Sequence, residues 1–204
     1  MADIIASREK NQNQLMIDFK ELAHEINDLY ADEILSPLTI TLGDEFQCVL
    51  KDLSTAVNII LNIEEIIIHR KLDFKLRYIL NQGEIETPLN KKIAYEMLGS
   101  GLTEARYILN ESKSDKSRFK IILENEIQNS ILLDAFKIFQ NITEKWNINK
   151  DYEVVSNFLK FRDYKIVSET MNKTRSQLWK REKTLNIESY FSIKNIIKLI
   201  AINQ

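Results

Sequence analysis

Leu35-Ser36-Pro37-Leu38-Thr39-Ile40-Thr41-Leu42-Gly43-Asp44-Glu45-Phe46-Gln47 is the stretch on which the fold turns. Leu38, Ile40 and Leu42 alternate with Thr39 and Thr41. Period-two alternation in β-branched residues predicts a half-buried strand over 35–42. Gly43-Asp44 is a tight-turn pair, because glycine accepts positive φ and aspartate bonds the backbone just beyond it. Residues 46–50 return as a second strand. The unit is a β-hairpin with an acidic tip.

Amphipathic helices flank the hairpin. Leu15, Phe19, Leu22, Ile26 and Leu29 recur at three- and four-residue steps and predict a helix over 10–31. Val57, Ile60, Ile63 and Ile67 do the same over 54–70. Ala2-Asp3-Ile4-Ile5-Ala6 reads as the end of a buried strand. It is abrupt for a central strand, and a few residues upstream of Met1 are expected. Strands follow at 74–80 and 118–123, with helices at 102–111 and 126–147. Pro88 and its polar neighbours make 81–97 a loop, with room for a short strand. This order predicts an α+β, ferredoxin-like sheet with helices on one face. Beyond residue 150 the strand signals stop, and helices are expected at 151–162, 164–171, 175–186 and 189–202. The chain therefore divides into an α+β domain (1–150) and a helical domain (151–204).

Composition bounds the function. Hydrophobic residues are 44% and charged residues 28% of 204, which excludes a largely disordered chain. The lone Cys48 excludes an internal disulfide and a cysteine-built zinc site, and fits a reducing, cytoplasmic setting. Asp3 and Arg8 interrupt any signal peptide, and no apolar run nears the roughly 20 residues that span a membrane. Residues 1–150 carry 18 Lys/Arg against 24 Asp/Glu, whereas residues 151–204 carry 10 against 6. An acidic body with a basic tail assigns any polyanion to the tail.

Two constellations carry chemistry. Asp3 ends the first strand and Asp44-Glu45 sits at the hairpin tip. With the first strand central, these carboxylates lie side by side, as hard ligands for Mg²⁺ or Mn²⁺. Two such metals activate a 3′-hydroxyl and neutralise a triphosphate. The same residues serve equally as an ordinary turn and a strand end. Ser7 and Arg8, after the first strand, together with Gly43 and Arg106 make a nucleotide-binding set, Arg106 as a phosphate clamp or a solvated helix residue. Glu84 is expected near that site. His24 and His69 have no metal-ligand partner at useful spacing.

In the tail, Asn172-Lys173-Thr174 breaks two helices, with Thr174 as N-cap of the second. A short turn between two helices fits helix-turn-helix geometry. Val167, Met171, Leu178 and Leu185 face inward. Ser176, Gln177, Lys180, Lys183 and Thr184 then face outward. Gln reads adenine, Lys and Arg read guanine, and Ser or Lys holds phosphate. Arg175, Ser176, Gln177, Lys180, Arg181 and Lys183 are the DNA-binding candidates. The segment 160–183 holds eight basic and three acidic residues. A solvated helix packed on the main domain is the plain alternative, and Trp179 is expected as a packing anchor.

Several phrases resemble known families. Residues 2–7 resemble the opening strand of class III nucleotidyl cyclases, and Leu42-Gly43-Asp44-Glu45-Phe46 resembles the hairpin of GGDEF-type cyclases with Leu42 in place of the first glycine. Residues 77–84 are similar to the strand and turn that follow in class III cyclases. Gly101-Leu102-Thr103-Glu104-Ala105-Arg106 resembles their later helix, with Leu102 where a ribose-holding asparagine stands. Over nearly its full length the chain resembles the SatD family, through residues 2–8, 35–47, 178–181 and 185–190. That resemblance implies a bacterial cytosolic protein with a nucleotide-cyclase-type palm and a C-terminal helix-turn-helix. The reading is a homodimeric DNA-binding regulator whose cyclase-like domain binds nucleotide and divalent metal or only dimerises. The alternative is a metal-dependent nucleotidyl cyclase or transferase using Asp3 and Asp44.

Overall fold

The computed structural model describes residues 1–202. Strands β1 (Ala2–Ile4), β2 (Ile34–Ile40), β3 (Glu45–Leu50), β4 (Leu76–Asn81) and β5 (Phe119–Ile122) form one mixed sheet in the order β2-β3-β1-β4-β5. β1 is antiparallel to both β3 and β4, β2 is antiparallel to β3, and β4 is parallel to β5. The helices are α1 (Gln12–Leu29), α2 (Leu53–His69), α3 (Ser100–Glu111), α4 (Glu126–Thr143), α5 (Tyr152–Phe161), α6 (Tyr164–Thr170), α7 (Arg175–Thr184) and α8 (Ile187–Ile202). The chain is thus α+β, and its first six elements interleave two β-α-β units around a central β1.

Local chemistry sets these elements. Asn11, Asp52 and Asn125 cap α1, α2 and α4 by accepting from the backbone N–H of Gln14, Thr55 and Gln128. The hairpin closes through Gly43 at φ 77°, a left-handed conformation that glycine adopts without strain. Pro37 falls on β2, an edge strand, where a missing backbone donor is tolerated. Residues 82–97 form no strand.

On one face of the sheet, Ala2, Ile4, Phe46, Leu76, Tyr78 and Phe119 meet α1, α2 and α4. Phe119 stacks on Tyr78 and Phe136. α3 covers the opposite face, where Ala105 and Leu109 pack with Ile79, Met1 and Ile122. This corrects the expectation of helices on one face only. Leu76, Arg77, Tyr78 and Ile79 are consecutive and all buried, so β4 needs cover on both sides. The parallel β4–β5 pair also requires a crossover, which α3 supplies. At its start α3 touches the chain after β4: a Cβ on Gly101 would lie 2.6 Å from the Gly83 carbonyl carbon.

The four C-terminal helices share the large apolar core of the sheet. Tyr190 on α8 packs against Phe139 and Trp146. Trp146 Nε1 donates to the Leu185 carbonyl at 2.9 Å, and the Tyr190 hydroxyl donates to Glu65 at 2.9 Å. Beneath α2 a buried polar knot joins helix to sheet. Arg118 makes two parallel bonds to Glu64, at 3.0 and 2.8 Å, and the Tyr78 hydroxyl donates to the same carboxylate. Among the described residues, no helix is long and apolar enough to cross a membrane.

Candidate functional site

The register of three strands builds an ionic centre. Asp3 in β1 lies opposite Glu45 in β3 and opposite Arg77 in β4. All three are buried. Arg77 Nη1 donates to both Asp3 oxygens, at 3.0 and 2.8 Å, and Nη2 donates to the Lys113 carbonyl at 3.1 Å. The Arg77 Nε is buried without a partner. Glu45 is ion-paired with Arg106 of α3, and Lys113 Nζ stands 4.0 Å from its other oxygen.

Asp44 occupies the mouth of this centre. Its backbone carbonyl accepts from Ile4 N–H at 2.9 Å, and its carboxylate accepts from the Ser7 hydroxyl at 2.5 Å. Ser7 reaches that position because Ala6 turns the chain in a left-handed conformation (φ 53°) into a short 3-10 turn over Ser7–Glu9. Gly43 and Arg8 are exposed beside it. Burial pushes the Asp3 carboxyl above its ordinary value; Arg77 and Lys113 pull it down, while Glu45 and Asp44 push it up. Three carboxylates therefore stand within one another's field, balanced by Arg77, Arg106 and Lys113.

As arranged, this donor set does not fit a divalent metal. Both Asp3 oxygens are engaged by Arg77 and Glu45 is engaged by Arg106. Among the described residues, no group of three His, Cys, Asp or Glu is grouped to hold a metal ion. Glu84 is not near this centre. β4 runs antiparallel to β1, so the chain after Asn81 emerges at the opposite end of the sheet, where the Glu84 carbonyl accepts from Gly101 N–H.

The second candidate surface is α6, the Met171–Thr174 turn and α7. Thr174 caps α7, and the cap is reciprocal: its hydroxyl accepts from Gln177 N–H at 3.2 Å while Gln177 Oε1 accepts from Thr174 N–H at 3.0 Å. Val167, Leu178 and Leu185 are buried, with Met171 packed beside them. Arg175, Ser176, Gln177, Lys180, Lys183 and Thr184 are exposed. Arg175 pairs with Glu169 and Lys183 with Glu188, both at the surface. Arg181 is half-buried and ion-paired with Asp151. Trp179 corrects its expectation as a packing anchor: it is 47% exposed, because Leu178 takes the inward position and turns its neighbour outward.

Sequence reasoning missed Arg77 and Lys113 as members of the ionic centre. A signal for Arg77 existed: an arginine between Leu76 and Tyr78 inside a strand demands a buried carboxylate partner. Lys113 sits in a turn after α3 and carries no such signal.

The model of the SatD family matches residues 1–200 of this chain. No match was found among curated proteins or among solved structures.

Proposed function

Because this chain belongs to the SatD family, with this geometry, we propose that it is a DNA-binding regulator whose recognition helix is α7 and whose sheet is a ferredoxin-like, cyclase-type palm. The observation that carries this reading is the split character of α7. Leu178 and Leu185 hold one side in the core, while Arg175, Ser176, Lys180, Lys183 and Trp179 stand on the open side. A recognition helix needs this arrangement: a fixed inner face, a capped start, and basic and amide groups free to meet phosphates and base edges. Gln177 gives its Oε1 to the cap, which leaves its NH₂ for an acceptor on DNA. The surface pairs of Arg175 and Lys183 are worth little and exchange readily for phosphate. Arg181 braces α7 against Asp151 on this reading and does not contact DNA. A dimer through the palm would set two such helices against a symmetric site. Fluorescence anisotropy with duplex DNA tests the assignment. Lys180→Ala is expected to weaken binding about tenfold, a loss of ~1.4 kcal/mol; unchanged affinity across Lys180, Lys183 and Gln177 substitutions would remove α7 from the role.

A second reading is favoured by one observation, the meeting of Asp3, Asp44 and Glu45 within one field. On that reading the palm binds a nucleoside triphosphate. Arg106 and Lys113 exchange Glu45 for phosphate oxygens, with Ser7, Arg8 and Gly43 at the mouth. Use of Mg²⁺ or Mn²⁺, and with it nucleotidyl transfer, requires Asp3 to leave Arg77. Thermal-shift measurements with triphosphates, with and without metal, separate these cases against an Asp44→Asn control. A shift without metal supports phosphate binding alone, and no shift leaves the palm as a scaffold.

A further inference from the structure

α4 and α8 each carry two apolar stripes. The first is the core stripe: Leu132, Phe136 and Phe139 of α4, and Ile193 and Ile197 of α8, are buried. The second lies outside it. Ile127, Ile131 and Ile138 follow one another on α4 at steps of four and seven, and Ile196 and Leu199 on α8 at a step of three. These five side chains are 46–74% exposed. The core stripe alone suffices to seat each helix on the sheet. Aliphatic residues at such steps form the seam of a helix–helix contact. Single exposed apolar residues are ordinary on a surface, but a contiguous set is not.

The two outer stripes meet. Gln128 Nε2 donates to the Ile200 carbonyl at 2.8 Å, and further along α4 the Phe139 ring lies 5.4 Å from Tyr190, further back along α8. The helices therefore run antiparallel, side by side. At 3.6 residues per turn, Ile127, Ile131 and Ile138 fall between the Gln128 flank of α4, which faces α8, and its outward Asn141. Ile196 and Leu199 fall in the same way between Ile200 and the outward Glu188 of α8. Together they make one seam along the outer side of the pair. Five aliphatic side chains about half exposed present roughly 500 Å² of apolar surface, the upper end for one patch on a monomer. A stable homodimer buries about 800 Å² per partner, of which about 65%, or ~520 Å², is apolar. Charge points the same way. Beside the seam, Asp134 and Lys137 pair at 3.0 Å, and Ser130, Asn141, Ser192 and Asn195 are uncharged. Such a face has no net charge to draw an acidic or basic partner. A carboxylate and an ammonium three residues apart on one helix do suit exchange across a two-fold axis.

We propose that the α4–α8 seam is a dimer interface, covered by the same two helices of a second copy of this chain in a four-helix arrangement. The inference rests on packing and charge, independently of DNA binding. It builds the interface from one helix before residue 150 and one after it. Because α7 leads directly into α8, the interface itself carries the two α7 helices.

Sedimentation velocity of the full chain from about 1 to 100 µM tests the proposal. The parent is expected to pass from monomer to dimer in that range, with Tm rising alongside. Ile131→Glu and Ile196→Glu each enter a two-fold interface twice, and are expected to weaken dimerisation about 100-fold or more. Both positions are half exposed in the monomer, so Tm at the lowest concentration is expected to match the parent's. Ile131→Ser brings no charge, keeps the fold and is expected to weaken the dimer about tenfold. Tyr107→Glu, exposed on α3 across the sheet, is expected to leave the dimer unchanged. A dimer that survives the seam variants, or one that falls to Tyr107→Glu, would overturn the proposal, because its interface lies elsewhere. So would a parent that stays monomeric throughout; if that monomer sediments with phosphatidylcholine–phosphatidylglycerol vesicles, the seam belongs to a membrane surface instead.

Discussion

Asp3 and Arg77 are the residues on which the ionic centre depends. Both are buried and bonded to each other, so removing one strands the other's charge. Asp3→Asn is expected to cost about 3–5 kcal/mol of folding stability, read by chemical denaturation. Asp3→Asn combined with Arg77→Met is expected to recover most of that loss, because no bare charge remains. A cost under about 1 kcal/mol for the single change would mean that Arg77 finds water or another acceptor. At this scale the sequence was legible in part. Asp3, Asp44 and Glu45 could be picked out because carboxylates at a strand end and a hairpin tip suit hard metal ions and the phrases around them resemble cyclase motifs. Arg106 was picked out too, but not its pairing with Glu45, and Arg77 was passed over; these partners are 61 and 74 residues from their carboxylates, and only the seat of α3 and the register of β4 bring them in.

Element by element, capping residues tie local sequence to the proposed activity. Thr174→Ala is expected to cost about 1 kcal/mol and to raise hydrogen exchange at the first amides of α7, with DNA affinity falling alongside. Asp52 tests capping by charge. Its bonds to Thr55 hold its carboxyl below the ordinary value of 3.8. The folded chain therefore binds that proton less readily than the unfolded one. Its contribution is present above pH 3.8 and is lost as pH falls through the depressed value. Asp52→Asn keeps a capping oxygen without the proton, so melting curves below pH 3.8 are expected to fall less steeply in that variant. Helix and strand order read cleanly from period and turn chemistry, and Thr174 with Leu178 and Leu185 gave α7 its cap and inner face. The side of the sheet taken by α3 did not read, because four consecutive buried residues in β4 show no alternation. Trp179 misled for a related reason: an aromatic beside Leu178 invites burial, but α7 is buried only through Leu178 and Glu182, which leaves Trp179 on the open side.

For the whole molecule, the decisive fact is the common core. Phe139, Trp146 and Tyr190 join the sheet-bearing part to α8 without a break in packing. Thermal unfolding is therefore expected as one transition, with Trp146 fluorescence in a Trp179→Phe background coincident with far-ultraviolet circular dichroism. An earlier, separate loss of helix would mean that α5–α8 melt as their own unit. The shared core also means that α7 is presented at a fixed angle to the sheet, as the proposed pair of recognition helices on a symmetric DNA site would require. The excess of basic residues after position 150 was visible in the sequence; its docking on the body was not, because the contacts join residues up to 129 positions apart.

The central claim is that α7 meets the DNA backbone and base edges. The most direct measurement is the salt dependence of duplex binding for the parent chain and for Lys180→Ala, Lys183→Ala and their double variant. Each lysine that neutralises a phosphate contributes about 0.9 to the slope of log affinity against log salt. The slope is expected to fall by about that amount per substitution and by about twice that in the double variant. Parallel lines with unchanged slope, or no measurable binding by the parent chain at low salt, would contradict the account and leave α7 as a solvated helix on the surface of the fold.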